Sequence, residues 1–318
     1  MTTHFLFLLI CASFALKTCQ CRNLWSADLP EIRNVSLEKG KPIQIESPHT
    51  QIQVCELNGT IYSDTLSQLG NVTELRICRS NIEKIEPGAL CSSQLKTLEL
   101  DFYTQSQPPT LSKEVFDNCD IEELILRFGE DSTIYKIDDD ALGNLTNLKK
   151  LYLQGYNLEH VEKNFLKLPH NELTVLEFSL CNIHQIDSDV FEDLKDLESI
   201  AIVHNRELKS LPKDLFKNNS KLKTLTLRSN AIENVTWDEF EGLANLETLT
   251  MSENRINQFD ADKIATNLPN LKYLNIDLNP PPCKQKEAFV NELKTKLTNV
   301  DVTYKFDPGY YDSCEDEI

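Results

Sequence analysis

The chain has 318 residues, of which 40% are hydrophobic and 26% charged, and its formal net charge is −18. This composition excludes a low-complexity or collagen-like chain and supplies enough apolar residues for a sizeable core. The acidity disfavours nucleic acid and anionic membrane surfaces as ligands, because both repel a negatively charged protein. Two interpretations of the acidity stay open: solubility alone, or a partner protein with a basic surface.

The first segment, residues 1–15, is predicted to be a signal peptide. The apolar run Phe5–Leu16 is too short to span a bilayer as a helix, and Ser13 and Ala15 fit a cut after Ala15, although the cut could fall as late as residue 19. No second apolar run long enough to cross a membrane follows. We therefore expect a secreted, extracellular protein without a transmembrane segment.

Sequons and cysteines agree with that compartment. Ten cysteines suit an oxidising environment, and six N-x-S/T sequons predict a glycoprotein. The sequons begin at Asn34, Asn58, Asn71, Asn144, Asn218 and Asn234.

An internal repeat, L-x-x-L-x-L-x-x-N-x-L, recurs down the chain. A degenerate first copy begins near His49, and nine clearer copies follow it at intervals of 23 to 27 residues. These nine start at Val72, Leu95, Ile121, Leu148, Leu173, Leu197, Leu222, Leu246 and Leu271.

The spacing predicts a fold when the first residue of each copy is counted as position one. Strand side chains alternate, so positions four and six point to one face and must be buried by stacking against neighbouring repeats. We predict an α/β solenoid, a horseshoe of nine to ten repeats with a parallel sheet on its concave side and cysteine-containing caps. The domains are 1–15 signal peptide, 16–71 N-terminal cap and degenerate first repeat, 72–282 repeats, and 283–318 C-terminal cap with an acidic tail.

Position nine is predicted to form an inward ladder of asparagine amides that satisfy backbone groups. The C-terminal copies carry the asparagine, at Asn205, Asn230, Asn254 and Asn279, and Cys181 takes the same position as a buried free thiol.

The second half of the repeat also recurs, with Phe191, Phe216 and Phe240 at corresponding places. Over about residues 49–283 the chain resembles the extracellular leucine-rich-repeat family, and in particular secreted immune proteins of arthropods (the mosquito haemolymph type) and Toll-type ectodomains. The resemblance implies a protein-binding module with an immune or recognition role. An extracellular matrix, developmental or receptor-modulating binder is one alternative, and a non-catalytic subunit or inhibitor of an enzyme is another.

Enzyme chemistry finds no support in the sequence. No glycine-rich phosphate loop, C-x-x-C pair, H-E-x-x-H or G-x-S-x-G motif occurs. We therefore expect no catalytic residues, no cofactor and no metal.

The concave face is the candidate binding surface. Its strand positions three, five and seven are charged in the first repeats, less charged in the middle ones and polar in the last ones. Two longer repeats carry insertions at Tyr103–Thr110 and Phe128–Lys136. Exposed apolar groups together suggest an interface, although ordinary strand composition is the alternative explanation. The candidate residues are Ile125, Phe128, Tyr152, Val175, Ala201, Val203 and His204.

Two disulfides are predicted from repeat positions. Cys55 and Cys78 share position seven of adjacent strands, which lie about 4.8 Å apart, close to the disulfide range. Cys91 and Cys119 precede consecutive repeats at similar places and are a second candidate pair.

The chain ends carry further candidates. The cysteine-bearing C-terminal cap of the family implies a Cys283–Cys314 bridge. Cys19 and Cys21 either belong to an N-terminal cap or link the chain to another copy or another protein. The acidic tail offers Tyr310 and Tyr311 for sulfation, and a merely packed or flexible tail is the other interpretation.

Overall fold

The computed structural model describes residues 30–45, 49–92, 94–102, 109–129, 137–138, 140–163, 165, 167–168, 172–280 and 286–304. The predicted signal peptide, most of both insertions and the acidic tail lie outside the described residues. The same holds for six predicted sites, which are Cys19, Cys21, Cys283, Cys314, Tyr310 and Tyr311.

The strands of the described residues are β1 Glu31–Arg33, β2 Gln51–Cys55, β3 Asn58–Ile61, β4 Glu74–Cys78, β5 Asn81–Ile85, β6 Thr97–Phe102, β7 Glu123–Phe128, β8 Lys150–Gln154, β9 His160–Val161, β10 Val175–Ser179, β11 Gln185–Ile186, β12 Ser199–Val203, β13 Thr224–Thr226, β14 Thr248–Thr250, β15 Tyr273–Asn275 and β16 Asp301–Thr303. Twelve of them form one parallel sheet, in the order β1-β2-β4-β6-β7-β8-β10-β12-β13-β14-β15-β16. Two small parallel sheets pair β3 with β5 and β9 with β11.

The repeat spacing therefore predicts the architecture correctly. Ten strands come from the ten copies, including β2 of the degenerate copy, whose Ile52 lies in register with Leu75 of β4. The sheet extends one strand further at each end, through β1 and β16, which the repeat pattern does not contain. Both end strands cover a sheet edge that a solenoid would otherwise expose.

The helical elements are short and lie off the sheet. The α-helices are α1 Ala261–Asn267 and α2 Lys286–Lys296, and 3-10 turns span Lys113–Phe116 and Asp238–Phe240. In the C-terminal region α2 buries Leu293, and Leu297, directly after the helix, is buried as well. α1 contacts α2, so the last repeat is closed by helix as well as by strand.

The core runs through the solenoid between the sheet and the convex side. Positions four and six, such as Leu151 and Leu153 of β8, are almost fully buried. On the convex side the recurring phenylalanines stack repeat on repeat, with ring centroids 6.1 Å apart for Phe191 and Phe216 and 6.4 Å apart for Phe216 and Phe240. Neither half of a repeat could bury these groups alone, so stacking drives the fold.

The predicted asparagine ladder is present. Asn230 Nδ2 donates to Ile202 O (2.8 Å) and Leu227 O (2.9 Å), and its Oδ1 accepts from Asn205 N (2.8 Å). Asn254 and Asn279 repeat the pattern. Each rung thus satisfies buried backbone groups of two neighbouring repeats.

Cys181 continues the ladder as a buried free thiol, as predicted. Its Sγ lies 3.3 Å from the carbonyl oxygens of Leu153 and Ser179. Burial raises the pKa of this thiol to about 12, so the sulfur is an inert replacement for the amide.

A left-handed residue at position eight ends most of the strands. Eight of the ten repeats place position eight at φ between 48° and 73°, and these residues are Glu56, Arg79, Gly155, Leu180, His204, Ser229, Glu253 and Leu278. In this turn the backbone N–H of position eight points toward the next repeat. Leu180 N donates to Val203 O (3.1 Å), and Ser229 N donates to Ser252 O (2.9 Å). At residue 155 only glycine fits, because a Cβ added there would lie 2.3 Å from Phe128 O.

The two repeats with insertions lack this turn. Strands β6 and β7 continue through position eight to Phe102 and Phe128, whose rings stack with centroids 5.7 Å apart. Tyr156 follows at 5.5 Å from Phe128. An aromatic ladder therefore replaces the amide ladder where the asparagines are missing.

Candidate binding surface on the concave sheet

Three rows of side chains line the concave face, because strand register carries each repeat position onto the next strand. In the row at position five, Ile125 lies beside Tyr152, then comes Glu177, then Ala201. The row divides into a charged N-terminal part, a central part and a hydroxyl-rich C-terminal part.

The charged part is a network of ion pairs between side chains of adjacent strands. The carboxylate of Glu99 is completely buried, and its Oε1 lies 3.2 Å from Arg76 Nε and 2.8 Å from Arg127 Nε. Arg76 also contacts Asp101 through Nη2 at 2.9 Å. Arg127 donates further to Gln154. A buried carboxylate is stable only when paired in this way, so these charges hold the sheet together.

A second ion pair lies where the charged part meets the central part. Lys150 Nζ lies 3.0 Å from Glu123 Oε2. The network and this pair together leave few charges of the N-terminal strands for a ligand, although the sequence alone indicates a highly charged face.

The central part keeps three of the predicted apolar residues accessible. Tyr152, Val175 and Ala201 are half-buried and lie on three adjacent strands, β8, β10 and β12. We call these three residues the central patch. Glu177, which is 2% exposed, lies in register between Tyr152 and Ala201. The patch therefore surrounds a buried carboxylate.

Two other predicted residues belong to the core instead. Ile125 is 3% exposed and Val203 is 1% exposed, so neither presents an apolar surface. Ile125 lies in register between Glu99 and Tyr152, whose long side chains flank it on the neighbouring strands. The strand pattern shows which face a residue points to, but it does not show how closely its neighbours cover it.

Phe128 was also predicted at the margin of the patch, and it is buried at 2% exposure. The reason is the missing left-handed turn. Because β7 stays extended through position eight, alternation points Phe128 inward with positions four and six.

His204 lies at position eight on the edge of the concave face, with φ of 59° and a half-buried ring. Burial and the nearby guanidinium of Arg228 lower the pKa of this imidazole, and Glu253 opposes them. Arg228 Nη2 itself contacts Glu253, and Ser229 donates to the same carboxylate. His204 therefore lies beside the ion pair of Arg228 and Glu253, and its surroundings favour the neutral imidazole.

Both disulfides predicted within the repeats are formed. Cys55 joins Cys78 with a Cα–Cα distance of 4.5 Å, and Cys91 joins Cys119 at 4.9 Å. The carboxylate of Glu31 lies close to the first bridge, and it pairs with Arg33 and Arg79. These bridges tie the first repeats together, where the amide ladder is absent.

The six sequons lie away from the concave strands. Five of the asparagines are exposed and lie on turns or on the convex side, while Asn144 is half-buried and donates to Lys113 O and to Asp117. No sequon asparagine occupies position three, five or seven of a concave strand. Glycans at these positions would leave the concave face open.

Two family models match this chain. The model "Leucine rich repeat" matches residues 196–256, and the model "BspA type Leucine rich repeat region (6 copies)" matches residues 59–172. Together they cover more than half of the 318 residues. With the ten-repeat parallel sheet, they make the chain a leucine-rich-repeat protein. A comparison with curated protein sequences finds no significant match.

Solved ectodomains share the fold. A chain of the glycosylated Toll–Spatzle complex of Drosophila superposes with a TM-score of 0.54 at 19% identity, covering 80% of this chain and 35% of that chain. A chain of the mouse RP105/MD-1 complex superposes with a TM-score of 0.59 at 20% identity, covering 81% of this chain and 42% of that one. The present chain thus spans less than half the length of either, and it resembles Toll-like ectodomains in fold.

This fold is typical of protein-binding and recognition modules. Among the described residues, no helix combines the length and apolar character that crossing a bilayer requires.

Proposed function

We propose that this chain is a secreted, non-enzymatic recognition protein that binds a protein partner with the central patch of its concave sheet. The observation that carries the proposal is the patch itself. Tyr152, Val175 and Ala201 are accessible on adjacent strands, while the charges on the N-terminal side are paired with each other. An amphipathic aromatic residue beside small apolar ones is the usual composition of an interface centre.

The structural neighbours support a protein partner. The titles of both solved structures describe complexes, Toll with Spatzle and RP105 with MD-1. The Toll title refers to development and innate immunity. On this basis, and on the resemblance to arthropod immune proteins, we assign the chain an immune or recognition role, with an extracellular matrix, developmental or receptor-modulating binder as the alternative.

Secretion is part of the proposal. The predicted signal peptide, six sequons and two intramolecular disulfides each fit an oxidising extracellular compartment. Expression in insect cells, followed by N-terminal sequencing and glycopeptide mass spectrometry of the medium, would test this part. Retention inside the cell with an intact residue 1 would contradict it.

The binding claim is tested by quantitative capture from extracellular fluid. Wild-type protein, Tyr152→Asp and Gln185→Asp are immobilised at equal amounts, and bound proteins are compared by mass spectrometry. Gln185 is exposed on β11, away from the concave sheet, and serves as the matched control. Val203 is unsuitable for this test, because an aspartate at a buried position would unfold the protein.

We expect a stoichiometric partner that the wild type and Gln185→Asp retain and Tyr152→Asp loses. The identity of the partner separates the roles: an immune factor supports the leading role, a matrix protein the alternative, and an enzyme a role as inhibitor or subunit. A partner that binds Tyr152→Asp as well as the wild type would contradict the proposed site.

A further inference from the structure

The C-terminal part of the concave face has no charge at positions three and five over four successive strands. From β12 to β15 these positions hold only hydroxyl, amide and small residues, apart from the phenol of Tyr273. The run ends at Glu177 of β10 on one side and at Asp301 of β16 on the other. We call it the hydroxyl strip, and its polar members are Ser199, Thr224, Thr226, Thr248, Thr250, Tyr273 and Asn275.

Strand register makes the strip regular. Thr224 lies opposite Thr248, and Thr226 lies opposite Thr250. Neighbouring strands are about 4.8 Å apart, so equivalent hydroxyls recur at that interval across the sheet. A periodic surface of this kind fits a ligand that is itself periodic.

The hydroxyls of the strip have unused hydrogen-bonding capacity. Elsewhere, threonine hydroxyls bond to the protein, as Thr174 does to Lys149 O and Thr236 to Glu239. Within the described part of the chain, the hydroxyls of Thr224, Thr226 and Thr248 make no such bond, and all three are half-buried. Each can both donate and accept toward a ligand.

An aromatic ring lies at one end of the strip. Tyr273 Oη lies 3.4 Å from Thr303 Oγ1 and accepts from Asn275 Nδ2 at 3.4 Å. These contacts fix the half-buried ring, which offers an apolar face beside an array of donors and acceptors.

We propose that the hydroxyl strip binds a neutral oligosaccharide that runs across the strands. Sugar hydroxyls need closely spaced groups that both donate and accept, and β13 and β14 each supply a pair of them, with single polar groups or an amide beside them on β12 and β15. The apolar face of a sugar ring would pack on Tyr273. Positions three and five carry no charge over this run, although position seven carries Asp277 and Arg228, which pairs with Glu253. In a protein of net charge −18, this uncharged run disfavours a strongly basic or acidic ligand.

The strip adjoins the central patch, because Ser199 lies in register with Val175, but the two share no residue, and the test of the strip is independent of the partner protein. Calorimetry would measure binding of neutral β-linked glucose and N-acetylglucosamine hexasaccharides, with a heparin-derived hexasaccharide as the charged comparison. The variants are the double substitution Thr226→Val with Thr248→Val, both of which remove a half-buried hydroxyl, and Tyr273→Ala. Valine keeps the shape and strand preference of threonine and removes the hydroxyl.

The matched control is Thr97→Val, which changes a threonine at position three in the charged part of the sheet. We expect at least one neutral hexasaccharide to bind the wild type and Thr97→Val equally. The double variant and Tyr273→Ala should each weaken it at least about tenfold, which one or two lost hydrogen bonds or a lost ring contact account for. Circular dichroism would show that the variants fold.

Three results would overturn the proposal. They are binding of no neutral hexasaccharide, stronger binding of the heparin fragment, or unchanged affinity in both strip variants. Loss of a captured protein partner in the double variant, with no sugar bound, would assign the strip to a protein interface instead.

Discussion

Phe102 and Phe128 stack with ring centroids 5.7 Å apart. Both occupy position eight of their repeats, where the eight other repeats have a residue in the left-handed conformation. The pair is therefore a structural substitute for the turn and for the amide ladder that follows it. The two strands that carry the pair belong to the two repeats with insertions.

The first prediction concerns this pair. Phe128→Ala should lower the free energy of unfolding by about 3–5 kcal/mol, because a ring that is 2% exposed would leave a cavity. Tyr152→Ala, which truncates a half-buried ring, should cost much less. Urea denaturation followed by fluorescence would measure both. Equal, small losses would show that Phe128 is a surface residue, as the sequence suggests.

The second prediction concerns the ladder. Asn230→Ala removes three hydrogen bonds to buried backbone groups and should cost on the order of 3 kcal/mol. Asn245→Ala is the control, since its amide makes one exposed bond to Ser220 O and should cost under about 1 kcal/mol. A loss at Asn230 no larger than at Asn245 would mean that the ladder adds little.

The third prediction concerns the ion-pair network. Glu99→Ala leaves the guanidinium groups of Arg76 and Arg127 without their shared buried carboxylate. Breaking such a site typically costs about 3–5 kcal/mol. Glu83→Ala, on the exposed face of β5, should stay near the wild type. Thermal unfolding of the two variants would decide, and equal midpoints would contradict a structural role for the network.

The fourth prediction concerns acid sensitivity. The pKa of His204 is lowered from 6.5, so the unfolded chain binds this proton more readily than the folded one. His204 should then favour the fold above pH 6.5 and lose that contribution as the pH falls through the lower, folded-state pKa. His204→Asn tolerates the left-handed backbone and cannot titrate.

The midpoint of urea unfolding would be measured at neutral pH and at a pH below the pKa of free histidine. The wild type should lose more stability between the two than His204→Asn does. An identical loss in both would show that His204 protonates in the folded protein without cost.

Much of the fold follows from the sequence because the repeat period determines which neighbours meet. The positions of Leu151, Asn230 and Cys181, and the Cys55–Cys78 bridge, all depend on that period alone. Ten stacked copies specify the sheet, so β2 of the degenerate copy could be placed as well. The end strands β1 and β16 lie outside the pattern and could not.

The binding surface was less predictable, because exposure depends on the size of neighbours in the next strands. Ile125 and Val203 were correctly assigned to the concave side and are nevertheless covered. The alternating charges at position two were another missed signal: Glu122 pairs with Lys96 at 3.4 Å and with Lys149 at 2.9 Å. Comparing the same position in adjacent repeats would have found these pairs, and also the Arg76–Glu99 pair in register.

The central claim, that a protein partner covers the middle of the concave sheet, is tested most directly by hydroxyl-radical footprinting of the captured complex. Oxidation of Tyr152 would be compared with that of Tyr62, a half-buried tyrosine that follows β3 outside the concave sheet. The account predicts that complex formation protects Tyr152 several-fold and leaves Tyr62 unchanged. Protection of Tyr62 with full reactivity at Tyr152 would contradict it.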